Sequence, residues 1–139
     1  MHQRTRRFVK VKNILIVDRD LGFVFWLGQI LDAAGYVAVP AKGVAEAAEI
    51  VDMLHLPVDV LIASPVEHGV REFTGKLRFT SPDLHVVALG NEGDLAQMMP
   101  PSWAAWKYKP RRWDEAAKSE WLDLVRDLDC RLVGSACRG

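Results

Sequence analysis

Short β-branched apolar runs alternate with helically spaced apolar stripes along this 139-residue chain, and no other feature constrains its fold as tightly. Asn13-Ile14-Leu15-Ile16-Val17 is the first run, of the kind expected for a strand buried on both faces. Asp18 and Asp20 follow, and either can cap a helix. Phe23, Trp26, Leu27, Ile30, Leu31 and Ala34 recur at helical spacing, and Gly35 sits where such a helix stops. A strand over 36–39 and a helix carrying Ala47, Ile50, Val51 and Leu54 repeat the pattern. A strand over 58–63, broken only by Asp59, precedes a third helix carrying Val66, Val70, Phe73 and Leu77. Residues 84–89 form a fourth strand, and 94–99 leave room for only a short helix before Pro100-Pro101. A fifth strand covers 104–108, and Ala117, Trp121, Leu124, Val125 and Leu128 mark a long final helix.

Five strands alternating with five helices predict an α/β domain, a doubly wound (βα)5 three-layer sandwich around a five-stranded parallel sheet. Right-handed crossovers place helices on both faces, and chemistry in such sheets belongs at the carboxyl ends of the strands. Those ends are Asp18-Arg19-Asp20, Pro40-Ala41, Ser64-Pro65, Gly90-Asn91 and Lys109-Pro110. The organisation expected is a basic extension over 1–11, one domain over 12–129 and a tail over 130–139.

Composition narrows the function by exclusion. Lys+Arg 18 balances Asp+Glu 18, so the zero net charge gives no overall reason to bind nucleic acid or an acidic membrane. The basic arm (Arg4, Arg6, Arg7, Lys10, Lys12) has no interleaved aromatics and reads as solvated. The longest apolar stretch, 21–31, is too short to span a bilayer. Cys130 and Cys137 lack Cys or His partners at metal-binding spacing and read as free thiols of a cytoplasmic protein, with a tail disulfide as the alternative. No dinucleotide or phosphate-loop glycine motif follows a strand, and His2, His55, His68 and His85 are scattered. No metal or other cofactor is expected, and no enzymatic activity.

What remains is a resemblance. Leu15-Ile16-Val17-Asp18-Arg19-Asp20, with Ala33-Ala34-Gly35-Tyr36 closing the first helix, resembles the start of a bacterial two-component response-regulator receiver domain. Asp59-Val60-Leu61-Ile62-Ala63-Ser64-Pro65 is similar to the family's third strand, and Pro82-Asp83-Leu84-His85-Val86-Val87-Ala88-Leu89 to its fourth. Trp106-Lys107-Tyr108-Lys109-Pro110 resembles the fifth, and the likeness covers about residues 12–129. It implies a flavodoxin-like fold and a place in phosphorelay signalling.

The family's working parts carry over unevenly. A receiver takes a phosphoryl group on an aspartate ending its third strand, holds Mg²⁺ with two acids after the first, and uses a hydroxyl and a lysine ending the fourth and fifth. Here Asp18 keeps the first acidic position and Arg19 replaces the second. Ser64 stands at the phosphoacceptor position, Gly90 at the hydroxyl position, Lys109 at the lysine and Trp106 at the switch aromatic. Asp18, Arg19 and Lys109 sum to +1, where the family's three carboxylates and one lysine sum to −2. Mg²⁺, a hard cation that takes oxygen ligands, loses two carboxylates and meets a guanidinium. At ~4 Å and an effective dielectric near 20, each unit-charge interaction is about 4 kcal/mol. Ser64 forms no acyl phosphate, and its hydroxyl is a weak nucleophile when unactivated. Ser64 to Gly69 spans five residues, shorter than the family's loop, and Gly90 to Lys109 spans 19, also short.

The expectation is therefore a degenerate, pseudo-receiver protein that accepts no phosphoryl group on aspartate and acts as a protein–protein interaction module. Its partner would be a protein of a bacterial signalling pathway, a second copy included. Asp18 and Lys109 are expected to pair across the strand ends. Alternatives are a receiver regulated by another route, or a small-ligand or anion-binding α/β domain in which Arg19 and Lys109 hold the anion. A Ser64–Lys109 hydrolytic dyad lacks an oxyanion-hole motif. Val24 and Phe25 lie off the core stripe and mark either an interface or a thick core, packed in part under the N-terminal arm. Trp106 reads as packed, with no hydroxyl at Gly90 to couple its rotation to.

Overall fold

Ile14, Leu15, Ile16 and Val17 are all fully buried because β1 (Asn13–Val17) runs through the interior of a sheet and has helices on both faces. A computed structural model describes residues 11–90, 100 and 102–133, with side chains described as far as Asp129. β2 (Val37–Ala41), β3 (Val60–Ala63), β4 (His85–Gly90) and β5 (Ala105–Tyr108) join β1 in one parallel sheet of order β2-β1-β3-β4-β5. Register brings the carboxyl ends level, with Val17 opposite Ala41 and Ala63, and Gly90 opposite Tyr108. The five-stranded parallel α/β sandwich is thus as expected.

Alternation along each strand divides the core. Ile14 and Ile16 face α1 (Leu21–Ala33) and α4 (Glu115–Val133), packing with Phe23, Leu27, Trp121 and Leu128. Leu15 and Val17 face α2 (Val44–Leu54) and α3 (Val70–Thr80), packing with Ala47, Phe73 and Leu77. Each fully buried aliphatic side chain contributes about 1.5–3 kcal/mol of transfer free energy, so the central strands anchor both layers. Trp103, between Pro100 and β5, is buried in the second layer, where no periodicity announced it.

Several boundaries and one interface assignment differ from the sequence reading. Asp59 stays outside β3 because its carboxylate accepts the amides of Lys12 and Asn13, both at 2.9 Å. Val66 lies exposed in the turn before α3, and α4 continues past Asp129 to Val133, since no Gly or Pro interrupts it there. Val24 is not a surface residue. It is 0% exposed, because Val24, Leu27 and Leu31 form a helical line of their own and the buried stripe is centred between that line and Phe23. Phe25 remains outside at 56%. Gly28 on the same buried face lies near β2, where an added Cβ would meet the Ala38 Cβ at 3.7 Å.

β2 is an edge strand with its own chemistry. The Ala38 amide, turned away from β1, donates to Asp32 Oδ1 at 3.0 Å, and Pro40 has no amide hydrogen to donate. Among the described residues no helix is long and apolar enough to cross a membrane. The expected short helix over 94–99, the basic arm before Val11, Cys137 and the Cys130 side chain lie outside the described residues.

Candidate functional site at the strand ends

The end of β1 organises the site. The Asp18 amide donates to Ala41 O at 3.1 Å, which extends the ladder by one residue and holds Asp18 against the sheet. Asp20 then caps α1 by accepting the Phe23 amide at 3.2 Å, so Asp20, not Asp18, is the helix cap. Asp18 Oδ1 accepts the Asp20 amide at 2.8 Å and Lys109 Nζ at 3.1 Å.

Lys109 reaches Asp18 from the far side of the sheet. Its amide donates to Gly90 O at 2.9 Å, fixing the residue at the end of β5 beside β4. Its Nζ lies 5.9 Å from the Phe23 ring centroid, on the aromatic face that α1 presents. The pair is largely removed from water, with side-chain exposures of 24% for Lys109 and 10% for Asp18. Salt therefore screens it less than a surface pair, and its hydrogen bond is of the stronger, charge-assisted kind. The expected Asp18–Lys109 pair is present.

Ser64 follows Ala63, which is paired with Val17, so Ser64 and Asp18 leave neighbouring strands side by side. The Ser64 hydroxyl accepts the Val66 amide at 3.4 Å, and its carbonyl accepts the Glu67 amide at 3.2 Å. Both oxygens are thus engaged with their own turn. Lys109 Nζ is committed to Asp18, so Ser64 and Lys109 form no nucleophile–base dyad. Arg19 is exposed at the mouth.

Glu67 is the residue that sequence reasoning missed. It is half-buried, and burial followed by the charge of Asp18 pushes its carboxyl above the ordinary glutamate range, while Arg19 and Lys109 pull it down. Its Oε2 lies 3.9 Å from where a Cβ on Gly43 would stand, beyond the end of β2. Counting Glu67 as a carboxylate beside Asp18, Arg19 and Lys109 takes the formal sum from +1 to zero. The signal was present: the four residues between Ser64 and Gly69 hold one acid. Among the described residues no group of three or more His, Cys, Asp or Glu side chains is placed to hold a metal ion.

The remaining candidates lie away from this cluster. Trp106, expected to be packed, is 41% exposed and lies edge-on against Tyr108 at 5.1 Å. Phe25 shares the outer face of α1 with Leu21, one turn earlier, and Trp26 stacks on Trp113 at 5.9 Å and 23°. Trp113 also lies over Gly22, where an added Cβ would meet its ring at 2.8 Å. The exposed apolar patch is thus Leu21, Phe25 and Trp113, flanked by Trp26, with Val24 beneath it. A groove of about 700 Å³ between α2 and α3, lined by Val51, Leu56, Phe73 and Leu77, opens at the opposite, amino-terminal ends of the strands.

No protein-family model and no curated protein matches the sequence. Solved structures do match in fold. The chemotaxis protein CheY4 of Vibrio cholerae is 20% identical, with 85% of this chain and 98% of that chain covered and a TM-score of 0.67. A putative response regulator from Chloroflexus aurantiacus is 21% identical over 88% of this chain and 100% of that one, with a TM-score of 0.65. A streptococcal redox sensor evolved from two-component response regulators is 17% identical, covering 92% of this chain but 57% of that chain, with a TM-score of 0.68. The chain therefore has the fold of response-regulator receiver domains.

Proposed function

We propose that this chain is a receiver-like protein of bacterial two-component signalling that takes no phosphoryl group on aspartate and works by binding another protein. The observation that carries this reading is the state of the strand-end pocket. A serine stands at the phosphoacceptor position with its hydroxyl turned to the Val66 amide, and the retained aspartate is bonded to the retained lysine at 3.1 Å. Neither arrangement supports acyl-phosphate chemistry, and Arg19 opposes a divalent cation. The streptococcal redox sensor is a precedent for this fold carrying a different kind of signal. In this reading the chain is cytoplasmic, has no catalytic activity and no cofactor, and binds neither membrane nor nucleic acid. The exposed patch of Leu21, Phe25 and Trp113 is the surface offered to a protein partner.

Acetyl phosphate with Mg²⁺, followed by intact-mass measurement, tests the proposal. No phosphoryl adduct is expected, and amide shifts of residues 18, 64 and 109 should be the same with and without acetyl phosphate. A stable adduct, or helix movement that depends on acetyl phosphate, would overturn it.

A further inference from the structure

α3 buries Val70, Phe73, Thr74 and Leu77, which leaves Glu72, Gly75, Lys76 and Phe79 exposed on the side turned away from the sheet. Phe79 is 88% exposed, more than any other large apolar side chain among the described residues. Gly75 stands one turn before it, in the middle of the helix, where glycine is unfavourable relative to alanine. Nothing in the fold requires that glycine. Its φ is not positive, and an added Cβ would meet no neighbouring atom within 4 Å. A knob and a hollow thus lie at i+4 and i on one face, and neither serves the chain's own packing. Glu72 and Lys76 have the same spacing on that face, yet among the described residues their side chains form no ion pair or hydrogen bond.

We propose that two copies of this chain associate through this face, with their α3 helices antiparallel about a two-fold axis near Gly75. The two glycines then let the helix backbones approach closely, and each Phe79 lies against the partner's helix beside its glycine. Glu72 of each copy comes toward the partner's Lys76, so charges that do not pair within a chain pair between chains. Such exposed pairs set orientation more than affinity. A parallel arrangement would instead set Glu72 against Glu72 and Lys76 against Lys76. A second copy is the fitting occupant because the face carries the knob, the hollow and both charges together, as an interface between identical surfaces demands. α2 and α3 cover one face of the sheet, and α1 and α4 cover the other. A pair joined through α3 therefore turns its two patches of Leu21, Phe25 and Trp113 outward, where they can engage two sites of a partner at once. The pairing itself depends neither on the strand-end pocket nor on that patch.

Sedimentation equilibrium of the full chain over a concentration series tests the pairing, and a reversible monomer–dimer equilibrium is expected. Phe79→Asp and Gly75→Leu, both at exposed positions, should each weaken it by about tenfold or more. Phe25→Asp should leave it unchanged. Glu72→Lys and Lys76→Glu should each weaken it alone, and an equimolar mixture of the two should recover association, since every cross-chain pair is then of opposite sign. Recovery in the mixture excludes lost folding as the cause of either single effect. A chain that stays monomeric at millimolar concentration would overturn the proposal. So would a dimer abolished by Phe25→Asp and indifferent to Phe79→Asp, or a mixture no better than its components. None of these outcomes changes what acetyl phosphate does to the pocket, so failure here and failure of the proposed function are distinguishable.

Discussion

At the scale of single residues, two carboxylates at the strand ends follow opposite logic. Asp18 is buried with a cation and an amide as partners, so removing Lys109 would leave it uncompensated, which in a buried pair costs several kcal/mol and in this partly wetted one about 1–3 kcal/mol. Glu67 is pushed above the ordinary glutamate range, first by burial and then by the charge of Asp18. Between that ordinary value, about 4.3, and its raised one, the folded chain holds a proton that the unfolded chain has released. Stability therefore falls as pH rises through this window. Chemical denaturation across pH 4 to 7 should show a slope that Glu67→Gln removes, and parallel curves for the two proteins would contradict the assignment. Asp18 and Lys109 were legible in the sequence because each directly follows an apolar run, and strand ends in a parallel sheet converge. Glu67 was not, because its direction depends on where a short loop lands and no periodicity reports that.

At the scale of elements, α1 shows how a correct pattern can still misplace a side chain. Phe23 and Val24 are adjacent, and both start a helical line that fits the core. Only the docking of α1 against β1 and β2 decides that both lines are buried and that Trp26 sits at the flank. The distinction has an experimental consequence. Phe25→Asp, on the open face, should change stability by no more than about 0.5 kcal/mol. Val24→Asp buries a charge with no partner and should leave the chain largely unfolded at 25 °C. Thermal melts of the two variants compare them directly, and similar midpoints would mean that α1 is rotated from its described orientation. The same limit applies to Trp103, which is buried by the sheet edge and α3 although it stands in a short, proline-flanked segment. Continuous apolar runs made β1, β3 and β4 legible, since a strand with helices on both faces leaves little choice of residue.

At the scale of the whole molecule, the described residues put Asp18 and Lys109 at one end of the sheet, a groove between α2 and α3 at the other and an aromatic patch on the side. The parallel topology was readable from the alternation of patterns, and the level strand ends follow from it. What alternation does not specify is how the sheet terminates. The two amides of β2 that point away from β1 are both disposed of: that of Ala38 goes to Asp32, and Pro40 has none. An incoming strand therefore finds no donor on that side of β2, and templated growth of cross-β aggregates from this edge is blocked. The double substitution Asp32→Ala with Pro40→Val should restore two free donors. Its concentrated solutions should then develop thioflavin fluorescence on incubation, while the unmodified chain stays dark. Equal fluorescence from both would place the vulnerable edge elsewhere. A carboxylate and an imino acid at the sheet's edge thus govern how long the protein survives at high concentration.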